Sequence, residues 1–330
     1  MIRPRPPAWL SLPNACRRLS LLGLYALLSG VAVAQAPLCL SELSLVEPVA
    51  DQEPITPIPP PPPADPRKLA LGERLFSDPR LSADGRLSCS SCHDLRTNGA
   101  GGRGRNAAPS GSLQFDTLTV FNASLNFRLN WEGNFRSLST QTESSLENPT
   151  NLHTNADEVA RKLSTDAAIV RDFRAAYDRA PDRDNVLDAL VTFERSLLTP
   201  GSRFDRWLRG DASALSPDEL AGYQLFKSFG CSSCHQGTNV GGNLFARQGI
   251  FRPLVQGKPD TVRVPSLRNV ATTAPYFHDG SAATLEEAVR RMAAAQLNRT
   301  VNDEQVASLV AFLRTLTGNY RGSPVVGAKP

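Results

Sequence analysis

The apolar residues of the chain recur mainly at spacings of three and four, which is the period of an amphipathic helix. This period runs through residues 169–177 and again through 186–197, whereas alternating strand patterns are scarce. Gly-rich loops at 98–104 and 237–242 separate helical stretches, and long loops in a compact domain usually serve a site or wrap something other than protein. The pattern therefore predicts a mainly α-helical protein with long loops.

Further helices are predicted by their first residues. A capping box, in which a hydroxyl residue is followed three positions later by an acid, stands at Ser216–Glu219 and at Thr284–Glu287. Asn302 has the position of an N-cap before another apolar stretch, which ends near Gly318. The helix that begins after Thr284 carries Met292 on its apolar face.

A cysteine motif, Cys-Ser-Ser-Cys-His, occurs twice in the chain. Two cysteines three positions apart can reach the two vinyl groups of one porphyrin, and the histidine that follows then lies under the iron. The sequence therefore predicts two covalently attached c-type haems. The residues that hold them are Cys89, Cys92 and His93 for the first haem, and Cys231, Cys234 and His235 for the second.

Two other interpretations of these motifs explain less. Redox-active dithiols use the Cys-x-x-Cys spacing but leave both histidines without a role. A single zinc site needs ligand pairs much closer in sequence than these two motifs are. A haem offers helices and loops an apolar disc to bury. Two distant motifs therefore predict two cytochrome c-like domains, each wrapped around one haem.

The N-terminal segment has the pattern of a cleaved secretory signal. Arg17 and Arg18 precede an apolar run, and Ala-x-Ala sites follow at 32–36. An uncleaved anchor helix is the alternative. The four arginines of this segment account for the formal net charge of +4, so the rest of the chain is neutral overall and does not favour a nucleic-acid partner. Because no later stretch is long and apolar enough to span a membrane, we expect an exported, periplasmic protein.

The domain boundaries follow from these features. The run Pro59–Pro63 prefers an extended conformation and cannot form a helix, which is typical of a linker. The predicted boundaries are a signal peptide over 1–36, a Pro-rich linker over 37–65, an N-terminal cytochrome c-like domain over 66–200, a C-terminal one over 201–320 and a flexible tail over 321–330.

The sixth iron ligand decides what each haem can do, because an iron held on both faces transfers electrons and one with an exchangeable face can activate peroxide. Met292 is the only methionine after the leader, and a thioether ligand gives the second haem a high potential. A core methionine is the alternative. Between His93 and Cys231 the only other histidine is His153. It either ligates the first haem, or that iron is open or bound to water.

The chain resembles the bacterial dihaem cytochrome c peroxidases from about Asp65 to Gly318. The matching stretches are Leu71–Phe76, Thr119–Ala123, Trp131–Gly133, Leu225–Phe226, Gly230–Cys231 and the highly specific Val264–Val270 and Ala274–Gly280. Met292 stands where this family has its distal methionine. The resemblance implies a periplasmic enzyme that reduces hydrogen peroxide to water with electrons from a small redox protein, a cytochrome c or a cupredoxin.

The same resemblance implies further site residues. Trp131 is expected between the haems as an electron relay, although core packing explains a tryptophan equally well. A calcium ion bridges the two domains in this family, and the matching positions are Asp116, Thr273 and Pro275, the aspartate standing where the family has an asparagine. Family members are often dimers, which leaves a homodimer open here.

Two departures from the family change the expected chemistry. Many members place a histidine between the first haem motif and the Thr119 stretch, which must leave the iron before peroxide binds. Residues 94–130 contain none, so we expect no need for reductive activation. Asn151 stands where the family has a glutamate that assists O–O cleavage, and an amide cannot accept a proton. Glu147, Glu143 or His153 are the candidate substitutes.

Two other functions stay open. A relative of these enzymes oxidises residues of a partner protein to mature a quinone cofactor. It has a tyrosine in place of Met292, which argues against that function, whereas the weakened acid site argues mildly for it. The third candidate is a dihaem electron carrier without catalytic activity, in which both irons are held on both faces.

Overall fold

A computed structural model describes residues 53–100, 115–255 and 259–328 of the chain. Over these ranges the protein is mainly helical, as the sequence predicts. The α-helices are α1 (Pro66–Phe76), α2 (Cys89–Cys92), α3 (Leu138–Glu147), α4 (Ala156–Leu163), α5 (Ala167–Tyr177), α6 (Arg183–Ser196), α7 (Arg203–Leu208), α8 (Pro217–Ser228), α9 (Leu285–Leu297) and α10 (Asp303–Arg314).

Strands are few and short in the described ranges, and they form two antiparallel pairs. In the first pair β1 (Phe245–Arg247) lies beside β2 (Thr261–Arg263), with Ala246 opposite Val262. In the second, β3 (Asn319–Tyr320) lies beside β4 (Ser323–Pro324). Neither pair forms a layer of the fold, so the helices carry the packing.

The helix ends agree with the local sequence signals, with one difference. The Ser216 capping box is complete, since its hydroxyl accepts from the Glu219 amide and the Glu219 carboxylate accepts from the Ser216 amide. Asn302 caps α10 in the same reciprocal way with Gln305. At Thr284 only half of the predicted box forms. The Thr284 hydroxyl accepts from the Glu287 amide, but the Glu287 carboxylate binds the amide of Ala283, one residue earlier.

Buried apolar side chains form two main clusters, one for each cysteine motif. The first cluster lies between α1, α4, α5 and α6, and Cys89 packs against its edge. The second lies between α7, α8, α9 and α10, and Cys231 packs against its edge. Each motif is therefore placed at the border of its own hydrophobic core.

The same close helix crossing occurs in both clusters. Gly72 of α1 faces the carbonyl oxygen of Ala189 on α6, and a Cβ at Gly72 would lie 2.0 Å from it. Gly222 of α8 faces the carbonyl oxygen of Ser308 on α10 at the same 2.0 Å. Glycine is required at both crossings, because a side chain there would meet backbone atoms that have no room to move.

A buried polar cluster joins the two halves. The Thr199 hydroxyl lies 2.8 Å from the amide nitrogen of Asn122 and 3.0 Å from that of Asn269, so it accepts hydrogen bonds from both side chains. All three residues are buried. Asn122 precedes the loop that carries Trp131, and Asn269 belongs to the long Val264–Val270 stretch, so this cluster holds the central loops of the two halves together.

The first and last described segments each place a residue in the core of the opposite half. The prediction of a linker over 37–65 misses that Ile55 and Ile58 are completely buried and that Ile55 belongs to the second cluster. Within the tail predicted over 321–330, Val325 is buried in the first cluster, whereas the other described residues are exposed. The β3–β4 turn brings Val325 back, and its amide binds the Gly318 carbonyl. Each described end thus covers the core of the opposite half.

The predicted signal peptide and the first part of the predicted linker, up to residue 52, lie outside the described residues. Among the residues that are described, no helix combines the length and the apolar character that crossing a bilayer requires. The boundary between the two predicted cytochrome c-like domains stays a prediction.

Candidate haem sites

The first motif forms one short turn of helix, α2, that ends at His93. The His93 Nδ1 lies 3.0 Å from the carbonyl oxygen of Gly99. Because a carbonyl only accepts, Nδ1 carries the proton and Nε2 keeps a lone pair for a metal. Burial lowers the pKa of His93, partly offset by the carbonyls of Gly99 and Leu118. A neutral imidazole with a free Nε2 is the form that ligates iron.

The second motif repeats this arrangement. The His235 Nδ1 lies 3.3 Å from the carbonyl of Val240, and the ring is buried. Burial lowers the pKa of His235 to about 4, against the opposing effect of the Val240 and Pro265 carbonyls. His235 is therefore neutral at physiological pH, with its Nε2 again available as a ligand.

The cysteines behave as buried thiols. Burial raises the pKa of Cys89 to about 12 and that of Cys231 to about 11. Redox-active Cys-x-x-Cys motifs need the opposite, a lowered thiol pKa that yields a thiolate at neutral pH. Neither motif forms a disulfide in the structure. The dithiol interpretation of the motifs therefore loses support.

An apolar cavity of about 210 Å³ opens beside the second motif. Cys231, His235 and Met292 all line it. Most of its other lining is aliphatic and aromatic, in part from α8, α9 and α10 and in larger part from the loops between helices. These residues fit a haem, because the cavity offers a thiol at its edge, an imidazole nitrogen and a thioether, surrounded by apolar side chains.

Trp131 and the predicted calcium residues line this same cavity. The Trp131 Nε1 donates to the carbonyl oxygen of Asp116 at 2.8 Å, and the Trp131 carbonyl accepts from the Arg263 amide at 2.8 Å. The indole also contacts the rings of Phe115 and His278. The indole is thus held by its Nε1 and its ring contacts, and the backbone of Trp131 is held separately, beside the second haem cavity.

Asp116, Thr273 and Pro275, the three predicted calcium residues, also lie around the cavity. No group of three or more His, Cys, Asp or Glu side chains in the described part of the chain is arranged to hold a metal. The predicted calcium site uses only one carboxylate together with backbone carbonyls. The lack of a group of three such side chains therefore does not decide whether calcium binds. Calcium therefore stays a prediction.

The candidate proton-transfer residues after α3 lie on the surface. Asn151, Glu147 and His153 are all exposed, and His153 has a left-handed backbone with φ of 49°. Glu143 is bound to Arg183 in an ion pair. Among the described residues, no hydrogen bond or ion pair connects these side chains with His93.

A carboxylate that sequence reasoning missed lies closer to the first motif. Glu194, on α6, accepts a hydrogen bond from the Thr142 hydroxyl at 3.1 Å and interacts electrostatically with Cys89. Burial raises the pKa of Glu194 to about 7, against the opposing effect of the Thr142 hydrogen bond. The signal was present in the sequence, because Glu194 follows Leu187 and Leu190 by seven and four positions and so falls on the apolar face of its helix.

Comparison with known proteins identifies the family of the chain. The model of the di-haem cytochrome c peroxidase family matches residues 66–213, and the cytochrome c model matches residues 220–317. The cytochrome c551 peroxidase of Nitrosomonas europaea is 39% identical over 82% of this chain and 86% of its own. That of Pseudomonas aeruginosa is 35% identical over 75% of this chain and 78% of its own.

Solved structures give the same result. The crystal structure of a MauG-like protein associated with microbial copper homeostasis superposes with a TM-score of 0.68, at 27% identity, over 79% of this chain and 93% of that chain. The chain therefore belongs to the di-haem cytochrome c peroxidase family, and it is an oxidoreductase of the peroxidase type. Membership implies two c-type haems, and the predicted fold class is confirmed.

Proposed function

We propose that this protein is a periplasmic dihaem peroxidase that reduces hydrogen peroxide to water with electrons from a small redox protein, a cytochrome c or a cupredoxin. One observation carries the proposal. Met292 lines the cavity of His235, whereas His153, the candidate second ligand for the first haem, is exposed. Two haems with unequal iron coordination suit a reaction in which electrons enter at one haem and are consumed at the other.

The residues that would hold the haems are those of the two motifs. Cys89 and Cys92 would attach the first haem and Cys231 and Cys234 the second, with His93 and His235 as proximal ligands and Met292 as the distal ligand of the second. When bound, the first haem supplies a redox-active iron with an exchangeable face for peroxide. The Gly99 and Val240 carbonyls orient the two imidazoles for this role.

Trp131 would serve as the electron relay between the haems. Its indole borders the second haem cavity, and the hydrogen bond from Nε1 to the Asp116 carbonyl orients it. A fixed aromatic side chain shortens the distance over which an electron must pass. Asp116, Thr273 and Pro275 would place a calcium ion beside the same indole.

Reducing one peroxide to two waters consumes two electrons and two protons, so the first site needs a proton source. Asn151 cannot supply one, and Glu147 is exposed. Glu194 can exchange a proton near neutral pH, because burial raises its pKa to about 7 and its carboxylate interacts with Cys89. We therefore assign the proton-transfer role to Glu194 beside the first haem.

The test is peroxide-dependent oxidation of a reduced cytochrome c by the holoprotein. We expect rapid donor oxidation without prior reduction of the enzyme, since residues 94–130 contain no histidine to displace. His93→Ala should abolish the reaction, whereas the matched control His153→Ala should retain it. Failure of the holoprotein to oxidise any reduced donor would overturn the proposal.

A second function is favoured by Asn151. An enzyme with a weakened acid site holds its oxidised state longer, which suits oxidation of residues on a partner protein. One solved relative, a protein associated with microbial copper homeostasis, is described as MauG-like. A high-valent state that persists after peroxide addition and reacts slowly with reduced cytochrome c would favour this function over the first.

A further inference from the structure

A continuous series of aromatic rings leads away from the second haem site. The Phe226 ring lines the cavity and lies 6.4 Å from the His235 ring, centroid to centroid. Phe226 contacts Phe312 at 5.1 Å, and Phe312 contacts Tyr223 at 5.0 Å. Tyr223 then contacts Trp207 at 5.6 Å. The series therefore ends in the two most easily oxidised side-chain types, in contact with each other.

The Tyr223 hydroxyl is bound to a base. It donates a hydrogen bond to the carboxylate of Glu53, which also forms an ion pair with Lys227 at 3.1 Å. The Lys227 ammonium lies 4.4 Å from the centre of the Tyr223 ring. Burial and the Glu53 carboxylate raise the pKa of Tyr223, so the phenol is neutral. A buried phenol gives up an electron readily only if its proton leaves together with it, and Glu53 is in contact to accept that proton.

We propose that Tyr223 is a redox-active side chain that discharges the peroxide-oxidised enzyme when no external donor is present. Tyr223 passes one electron through the packed Phe312 and Phe226 rings to the second haem site. The Tyr223 O–H bond breaks and an O–H bond forms on Glu53. The transferred electron cancels one of the two oxidising equivalents that peroxide leaves on the enzyme. Trp207 is the next electron donor: one electron passes from its indole to the tyrosyl radical, the proton on Glu53 returns to the Tyr223 oxygen, and the indole is left as a radical cation. The inference rests on the proposed function, which supplies the oxidant.

Tyr177 provides a natural comparison. Its hydroxyl donates to the Asp188 carboxylate at 2.9 Å, and Lys68 lies 4.4 Å from its ring centre, so the hydroxyl has the same kinds of neighbour as that of Tyr223. Its ring contact is with Phe173, and in the described residues no further ring contact leads from Phe173 to a haem histidine. Tyr223 therefore differs from Tyr177 in its series of ring contacts to a haem histidine. The two residues do not differ in having a phenol–carboxylate pair.

The experiment mixes the oxidised holoprotein with hydrogen peroxide, without donor, and freezes samples for electron paramagnetic resonance. Ring-deuterated tyrosine identifies a tyrosyl radical by the narrowing of its signal. We expect a tyrosyl signal in the wild type, its loss in Tyr223→Phe and its retention in the control Tyr177→Phe. Peptide mapping should find oxidative modification at Trp207 after repeated peroxide additions, reduced several-fold in Tyr223→Phe.

A second variant separates chemistry from folding. Glu53→Gln keeps the aromatic packing and a hydrogen-bond acceptor but removes the base, so we expect the tyrosyl signal to be lost with Tyr223 still present. A signal of equal size in wild type, Tyr223→Phe and Glu53→Gln overturns the inference. That result leaves the proposed function intact if peroxide still oxidises reduced cytochrome c. Absence of any reaction between the wild type and peroxide overturns both.

Discussion

Arg268 and Asp205 form an ion pair, 2.8 Å from Nη1 to Oδ1, in which both side chains are completely excluded from solvent. The pair also holds the N-terminal segment in place. The Ile58 amide donates to the Asp205 carboxylate, and Arg268 donates to the Thr56 carbonyl. The ion pair thus ties the described start of the chain to the second haem half.

Removing one partner of this pair should be strongly destabilising, because it leaves the other charge buried without compensation. We expect Asp205→Ala to lower the free energy of unfolding of the holoprotein by about 3–5 kcal/mol. The matched control is Asp303→Ala, which breaks an ion pair with Arg290 whose aspartate is 96% exposed, and there we expect a change of about 0–1 kcal/mol. Denaturant unfolding measures both, and equal effects would contradict the account.

Glu194 should make stability depend on pH. Its pKa is about 7 in the folded protein against an ordinary 4.5, so the folded state binds more protons between these values. The contribution of Glu194 to the free energy of unfolding is therefore greatest below about pH 4.5, and it falls as the pH rises through 7. We expect Glu194→Gln to remove this slope and to stabilise the protein by up to about 3 kcal/mol above pH 7.

Thermal unfolding from pH 5 to pH 8 provides the test of the Glu194 prediction, with exposed Glu147→Gln as the control that keeps the wild-type slope. Charged groups on α6 and on the helices packed against it form ion pairs with partners other than Glu194. They should therefore contribute little to the change of stability with pH. These pairs are Lys68 with Asp188, Arg74 with Asp172, Glu143 with Arg183 and Glu158 with Arg161. A parallel pH profile in wild type and Glu194→Gln would show that Glu194 does not titrate in this range.

Met292→Leu should change the second haem and leave the first unaltered. Leucine keeps the apolar volume but has no sulfur, so the iron loses its thioether ligand and its reduction potential falls. Absorption and potentiometric titration of the holoprotein would detect the change in one haem of the two. Unaltered potentials in Met292→Leu would mean that Met292 is a core residue and that another group ligates the iron.

Asn151→Glu should raise peroxidase turnover, because a carboxylate there restores a general acid–base group that typically contributes about 10²–10⁴-fold. The gain should lie at the low end of this range, since Glu194 already offers a carboxyl group beside the first haem motif. Steady-state kinetics with Asn151→Gln as the control would measure it. Turnover equal to wild type in Asn151→Glu would show that this position does not limit the reaction.

Local signals predicted the helices well, and long-range packing explains what they missed. The Ser216 cap and the 3.6-residue period of α6 are properties of neighbouring residues, so both could be found in the sequence. The burial of Ile55 and Val325 depends on contacts with the opposite half of the chain, which no local pattern records. For that reason, local sequence patterns predict a linker for the proline-rich segment and a flexible tail for the end of the chain.

The candidate site residues also fall into two groups: those that local sequence signals predict and those whose place depends on long-range packing. The cysteine motifs were found by spacing alone, and the structure places Met292 and His235 on one cavity. Glu194 was missed because its proximity to Cys89 comes from the long-range packing of α6 and not from residues that are neighbours in sequence. A carboxylate on an apolar helix face was the signal that could have found it.

Electron paramagnetic resonance of the isolated, oxidised holoprotein tests the central claim most directly, since it reports the coordination of each iron separately. Our account predicts one low-spin haem with histidine and methionine ligands and one haem that is high-spin or exchanges its ligand, and only the latter should change when peroxide is added. Two low-spin haems, both unaffected by peroxide, would contradict it.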